Sequence, residues 1–384
     1  MKTPDGRSAP DPTDGAASPP STVPSRTNPH ADAGAPAEFS RRVDADLTPL
    51  LKHLLAGGTL SAEQTTAAFE AMMTGLVHHG EIGAFLALLA TRTPTPDEIL
   101  GAARVMRAHV DRVPTSIDPA ELVDTAGTGG APKTFNVSTA SAIVAAAAGA
   151  KLAKHGNRSR TGRGSAEVLI QLGVNVEASR EVQQRCLEAC GVCFCFAPHH
   201  HPATRHVMPV RMAVGFPTLF NLLGPLTNPA GARRQVMGVY DRRFVRPIAD
   251  ALAGLDAVRA MVVHGADGLD EISISAPTHV ALVDRGHVRE ATIEPREYGI
   301  ELRPREEVIA RDLDHAAEMV RGVVDGSMTG APRDMTLLAT AATLLIADRV
   351  SSFEEGLGLA AETIRGGHAA RTLAELAELS HAEG

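Results

Sequence analysis

Asp124-Thr125-Ala126-Gly127-Thr128-Gly129-Gly130-Ala131-Pro132-Lys133-Thr134-Phe135-Asn136-Val137-Ser138-Thr139, followed by an alanine-rich run to Ala148, decides how this chain is read. The apolar pair Leu122-Val123 before it predicts a strand, and the run after it predicts a helix. Between them, glycines let the backbone turn tightly and approach a ligand closely. Ser138 and Thr139 fall where the helix begins, and free N–H groups and the helix dipole there make an anion site. Taken alone, the stretch equally fits an ordinary strand-to-helix turn with a serine cap. It is neither a P-loop, lacking a final Gly-Lys-Ser/Thr, nor a Gly-x-Gly-x-x-Gly dinucleotide loop.

One strand-helix-strand unit further on comes Lys154-His155-Gly156-Asn157-Arg158-Ser159-Arg160-Thr161-Gly162-Arg163-Gly164-Ser165, directly after the apolar run Lys151 to Ala153. Cations, flexible glycines and hydroxyls at a strand's carboxyl end suit a polyphosphate, because ligands of open α/β sheets bind at that edge. A solvated basic loop is the plainer reading. The spacing places the two loops face to face across one cleft.

A third segment, Val262-Val263-His264-Gly265-Ala266-Asp267-Gly268-Leu269-Asp270-Glu271, leads a strand into adjacent carboxylates. Asp270 and Glu271 suit Mg²⁺, which is held by one or two carboxylates plus substrate phosphates and keeps several waters. His264, at the strand end, reads as a packed histidine. His199-His200-His201 cannot all point into one site and read as loop or helix-entry residues.

Outward from these loops the grammar is strand–loop–helix: short apolar runs at 122–123, 151–153, 192–196, 236–240 and 260–264 alternate with helical segments, and 277–294 reads as a hairpin. That is an α/β pattern with a parallel or mixed sheet. The C-terminus returns to helices at about 332–347 and 352–366. Before it, residues 40–112 read as a small helical domain. Leu47, Leu50, Leu51, Leu54 and Leu55 mark one amphipathic face, Ser61 with Gln64 caps a helix to about His78, and helices at 81–92 and 96–111 follow. Residues 1–39, rich in Pro, Ser, Asp and Gly, read as a disordered tail.

Net charge is −8, which weighs against a general nucleic-acid binder. The longest apolar run is far too short to span a bilayer and no secretory h-region is visible, so the chain is expected in the cytoplasm. The four cysteines, Cys186, Cys190, Cys193 and Cys195, do not follow a familiar zinc spacing and read as small buried hydrophobes.

Five segments together, in this order, resemble the anthranilate phosphoribosyltransferases, of nucleoside-phosphorylase type fold. They are Gly-Thr-Gly-Gly with Thr134-Phe135-Asn136-Val137-Ser138-Thr139; Lys154-His155-Gly156-Asn157-Arg158-Ser159; His201-Pro202-Ala203 with Pro209-Val210-Arg211; Phe220-Asn221-Leu222-Leu223-Gly224-Pro225-Leu226-Thr227-Asn228-Pro229-Ala230; and His264 through Ser273. The resemblance runs from about residue 45 to the C-terminus. It implies a helical domain to which residues near 200–228 return, an α/β domain over 113–384, an active site at the hinge, and a homodimer.

Carried over by position, the resemblance assigns Gly127, Gly130, Thr134, Asn136, Val137, Ser138, Thr139, Lys154, His155, Gly156, Asn157, Arg158, Ser159, Arg160, Thr161, Gly162 and Ser165 to phosphoribosyl pyrophosphate. It assigns Gly127, His155, Asn157 and Arg211 to anthranilate. Ser138, Asp270 and Glu271 would hold Mg²⁺, two ions in all. No catalytic nucleophile is implied, since an arylamine is already neutral. Transfer to another aromatic acid, nucleoside phosphorolysis and a non-catalytic nucleic-acid-binding relative are the competing readings.

The sequence also departs from the family pattern. Ala131-Pro132 replaces an Asp-Gly pair, with the loop one residue shorter, where the Asp normally contacts the donor. The loop at Thr161-Gly162-Arg163-Gly164-Ser165 is also one shorter, and Ala339 stands where an Asn is common.

Overall fold

The computed structural model describes residues 45–159 and 162–382; the tail expected at 1–39, and Arg160 and Thr161, lie outside the described residues. The N-terminal part is helical: α1 (Thr48–Leu55), α2 (Ala62–Met73), α3 (His79–Ala90) and α4 (Pro96–Ala108). The Ser61–Gln64 capping box forms as expected, with the Gln64 N–H donating to Ser61 Oγ at 3.2 Å and the Ser61 N–H to Gln64 Oε1 at 2.9 Å. α2 ends at Met73 rather than near His78, because Gly75 turns left-handed at φ +77° and stops the helix.

Thr95 and Glu98 form a second capping box on α4, and Glu98 is buried while also accepting from the Leu60 N–H and pairing with Arg92. Thr95→Ala removes one cap bond and is expected to lower unfolding free energy by about 1 kcal/mol, read by urea denaturation, with turnover unchanged.

The α/β part continues with β1 (Leu122–Gly127), α5 (Val137–Ala147), β2 (Lys151–Gly156), α6 (Ser165–Gln171), α7 (Arg180–Ala189) and β3 (Val192–Phe196). The short helices α8 (Ala197–His200), α9 (Met208–Val214) and α10 (Phe220–Leu223) come next. Then follow β4 (Arg234–Gly238), α11 (Val245–Gly254), β5 (Arg259–Gly265), β6 (Thr278–Asp284), β7 (His287–Ile293), α12 (Leu313–Asp325), α13 (Ala331–Ile346), α14 (Phe353–Arg365) and α15 (His368–Ser380). The strands form one mixed sheet in the order β3-β2-β1-β4-β5-β6-β7. β3 through β5 pair in parallel, and β5-β6-β7 pair antiparallel, the last two being the expected hairpin.

Side-chain alternation along β5 sorts the two cores. Met261 and Val263 join the cluster built around the buried alanine-rich α5 and the C-terminal helices, while Ala260 and Val262 join the one beneath the N-terminal helices. The 200–228 segment feeds that second cluster through Val207, Val210, Leu219, Phe220 and Leu223, with the Phe69 and Phe220 rings 5.3 Å apart. The four cysteines are free and buried, as expected. Among the described residues no helix is long and apolar enough to cross a membrane.

Candidate active site

From β1 the chain winds out through β2 to β3, then returns to lay β4 on the other side of β1. The strand order therefore reverses between β1 and β4, and the crevice at their carboxyl ends is where such sheets bind ligands. Gly127 and Gly238 end these strands opposite one another. The lack of side chains at both lets the 267–271 loop settle into the crevice. A Cβ on Gly127 would lie 3.1 Å from Asp270 Oδ2, and one on Gly238 only 1.7 Å from the Asp270 carbonyl oxygen.

The glycine loop is tied to that floor. The Thr128 N–H donates to the Gly238 carbonyl at 2.9 Å, and the Tyr240 N–H donates to Thr128 Oγ1 at 3.1 Å. Gly129 and Gly130 have φ of +63° and +98°, values that L side chains rarely adopt. Gly130 also faces the Tyr240 ring. The Gly129 N–H reaches the Asp270 carboxylate, and the Ser138 N–H, in the first turn of α5, reaches that of Glu271. The acidic pair thus sits against the N-terminus of α5, as a negative group should.

Both carboxylates are reachable from solvent but crowded on most sides. Burial raises Asp270 above the usual carboxylate range, and burial with the adjoining Asp270 pushes Glu271 up to about 8, against the pull of Lys154. Among the described residues no three His, Cys, Asp or Glu side chains converge as a closed metal cage would require. Two adjacent carboxylates whose mutual repulsion a cation would relieve fit Mg²⁺ completed by water and phosphate oxygens.

Lys154 runs underneath. Its ammonium donates to the Thr125 carbonyl at 2.6 Å and to Ser138 Oγ at 3.2 Å, and burial lowers it to about 8 although Asp124 and Glu271 lie nearby. Asp124, buried in β1 and raised by that burial to about 6, accepts the His155 N–H at 3.0 Å. His155 Nδ1 lies 3.1 Å from the Gly224 carbonyl and its Nε2 lies 3.3 Å from His201 Nε2. Burial holds both rings neutral, near 3 for His155 and near 4 for His201.

The second loop folds around one carboxylate: Glu167 accepts from the Ser159 N–H at 3.2 Å and the Gly164 N–H at 2.9 Å. Gly156 must be glycine there, since a Cβ would fall 2.3 Å from Ser165 Oγ. Asn157 and Arg158 are exposed, Arg158 paired with Glu177 at 3.1 Å. The two loops do meet, through Lys133 Nζ on Ser159 Oγ at 2.6 Å.

The structure therefore brings Gly127, Ser138, Lys154, Asp270 and Glu271 to one crevice, with His155, Gly156 and Ser159 on its flank. Thr134 and Asn136 are half-buried in the loop. Val137 and Thr139 are buried beneath it, their N–H groups donating to the Phe135 and Asn136 carbonyls. Arg211, on α9, is half-buried with its guanidinium 4.9 Å from the Phe220 ring.

The histidine trio splits as expected. His199 faces Glu177 and His200 is held by Gln183 and the Asp111 carbonyl, while His201 alone turns to His155. His264 is packed, on the Val239 carbonyl at 2.8 Å. Ala339 lines a small hollow behind Asp270 and Glu271.

Sequence reading missed Asp124, Lys133, Gly224 and Gly238. Asp124 carried a signal, a carboxylate inside an apolar strand. The contact of Gly238 with Asp270 joins segments 32 residues apart and left none. A cavity of about 470 Å³ is lined by Arg92, Phe216, Thr218, Tyr240 and Arg243, and of these Tyr240 also faces Gly130 of the glycine loop.

Residues 119–370 match the a/b domain of the glycosyl transferase family, and residues 48–110 match its helical bundle domain. An anthranilate phosphoribosyltransferase from Rubrobacter xylanophilus is 45% identical over 336 residues, 87% of this chain and 97% of that protein. One from Thioalkalivibrio sulfidiphilus is 46% identical over 319 residues, 83% and 94% of the two chains. Among solved structures, the anthranilate phosphoribosyltransferase of Thermus thermophilus superposes with a TM-score of 0.80 at 37% identity, covering 86% of this chain and 99% of that one. The Saccharomyces cerevisiae enzyme in complex with PRPP and Mg superposes at 0.78 with 26% identity, covering 87% and 97%.

Proposed function

Since the chain belongs to the anthranilate phosphoribosyltransferases, we propose that it transfers the phosphoribosyl group of 5-phospho-α-D-ribose 1-diphosphate to anthranilate, yielding N-(5-phosphoribosyl)anthranilate and diphosphate for tryptophan biosynthesis. The observation that carries this reading is the meeting of Asp270 and Glu271 with the amides of Gly129 and Ser138 at the sheet's switch point.

The anthranilate nitrogen attacks C1 of the ribose as the bond from C1 to the diphosphate oxygen breaks, and the amine proton leaves to water. An arylamine lone pair is free at neutral pH, so no residue is assigned as general base. The glycine-loop backbone at Gly130 and the Ser138 and Ser159 hydroxyls would face the charge that develops on the diphosphate, and such preorganised donors commonly make the largest contribution to catalysis. Bound Mg²⁺, held through Asp270, Glu271 and Ser138, supplies positive charge to the same oxygens; we assign two ions. Donor contacts are Gly127, Gly130, Thr134, Asn136, Val137, Ser138, Thr139 and the loop from Lys154 to Gly162 with Ser165.

Gly127, His155, Asn157 and Arg211 receive anthranilate. The neutral His155 ring suits an aromatic face, and the Arg211 guanidinium pairs with the carboxylate. In this reading residues 40–112 with 200–228 form the helical domain and 113–384 the α/β domain, closing to exclude water. The enzyme works as a cytoplasmic homodimer. Four free thiols suit a reducing compartment, and Leu55, Leu76, Met208, Met212 and Phe216 give the helical part exposed apolar surface.

The test is the loss of anthranilate fluorescence with the donor and Mg²⁺ present; no consumption refutes the assignment. Arg211→Ala should raise the anthranilate KM by roughly 10- to 100-fold, the range for a lost charge-assisted contact, and leave the donor KM alone. An unchanged anthranilate KM would remove Arg211 from the acceptor site.

A further inference from the structure

We propose that Lys133 is a direct ligand of the donor's diphosphate and takes over, with opposite charge, the place the missing loop Asp would have had. This rests on the donor assignment above but concerns a residue outside the set that the resemblance assigns.

Lys133 belongs to the glycine loop, two residues beyond Ala131, yet its ammonium reaches across to Ser159 Oγ of the second loop at 2.6 Å. It therefore stands in the gap that a diphosphate between the loops must fill. The side chain is half-buried, hence both held and accessible. The charges that bear on it are Arg163, Glu167 and Asp270. Glu167 is engaged by the Ser159 and Gly164 amides, and the Arg163 guanidinium donates to the Ala310 carbonyl. Asp270 is held by the Gly129 amide.

Among the described residues no carboxylate forms an ion pair with Lys133, whose ammonium donates to the Ser159 hydroxyl. An ammonium has three donors, so two remain for a ligand. A compact cation on a flexible stem is a common phosphate ligand. With Ala131 in place of a loop carboxylate and the Lys133 ammonium two residues on, the local field is more positive, which draws the anionic donor and lowers the demand on the divalent cation.

The experiment titrates inorganic pyrophosphate with Mg²⁺ into the full chain by calorimetry, for the wild type, Lys133→Gln and Lys133→Arg, alongside the donor and anthranilate KM. Gln keeps a hydrogen bond to Ser159 but no charge; Arg keeps the charge. Lys133→Gln should weaken pyrophosphate and raise the donor KM by roughly tenfold or more, with Lys133→Arg recovering to within about threefold. The anthranilate KM should not move. The Gln variant also needs more Mg²⁺ for half-maximal rate.

Pyrophosphate binding in Lys133→Gln within about twofold of wild type overturns the proposal. So does equal weakening by Gln and Arg, which would mean that the bridge to Ser159 matters and the charge does not. Wild-type turnover is a separate readout: failure to consume anthranilate sinks the acceptor assignment, while the pyrophosphate titration still decides on Lys133.

Discussion

Glu271→Gln and Asp270→Asn should each lower kcat/KM by about a thousandfold and abolish saturable Mg²⁺ dependence, the scale on which preorganised charge at a leaving group acts. The fold should survive, and in Glu271→Gln stability should move the other way from activity. In the metal-free protein burial and Asp270 lift the Glu271 carboxyl to about 8, from an ordinary value near 4.5. The folded chain therefore holds a proton there that the unfolded chain has already released. Between those values the native state binds more protons, so metal-free wild type should lose stability as pH rises from about 4.5 to about 8 and level off above.

Glutamine removes this slope. At pH 8 without metal, Glu271→Gln should melt above wild type. With Mg²⁺ and pyrophosphate the order should reverse, because only the carboxylate gains by binding. A thermal melt with and without the two ligands, at pH 5 and pH 8, reads all of this. Normal Mg²⁺ dependence in both variants would remove the metal assignment, and a lower metal-free melting point for Glu271→Gln would mark Glu271 as structural instead.

Gly238→Ala should be as damaging for a different reason. The added methyl would sit 1.7 Å from the Asp270 carbonyl oxygen and 2.6 Å from its carbonyl carbon. Both are backbone atoms, so no side chain can swing aside; either β4 or the 267–271 loop has to shift. Gly238 is locked on both sides, paired with Gly127 of β1 and with Val263 of β5. Moving the acidic loop is therefore the easier response. Overpacking of this kind costs about 3 kcal/mol, and a displacement near 1 Å of the metal-holding pair should cost roughly 100-fold or more in turnover.

Gly127→Ala is the control. Its one tight contact would be Asp270 Oδ2, at 3.1 Å, where the carboxylate can rotate away, while the Gly238 carbonyl oxygen lies at an ordinary 3.6 Å. It should fold nearly as well as wild type and show its effect in Mg²⁺ and donor affinity. Urea midpoints at constant m separate the two cases. Wild-type stability and rate in Gly238→Ala would show that the crevice floor is not the lock described here.

Much of this was legible from the residues alone, because local chemistry wrote it. The capping box at Ser61, the buried run Val192 to Phe196 and the hairpin at 277–294 all formed where side-chain spacing placed them. So did the loop that begins α5, since backbone turns and orphan amides are decided within a few residues. Three loops with phosphate and metal chemistry could be named from composition and position after a strand.

What lay beyond reach depends on which strands become neighbours. Only the order β2-β1-β4-β5 lays Gly238 beside Gly127 and drops Asp270 and Glu271 onto the Gly129 and Ser138 amides. Only the folded loops turn Lys133 toward Ser159 and set His155 between Gly224 and His201. The glycine loop that began as an even choice between a plain turn and a phosphate site thus has its chemistry from its own residues. Its partners come from the tertiary fold, because charge and desolvation act through space, and sequence spacing does not record distance.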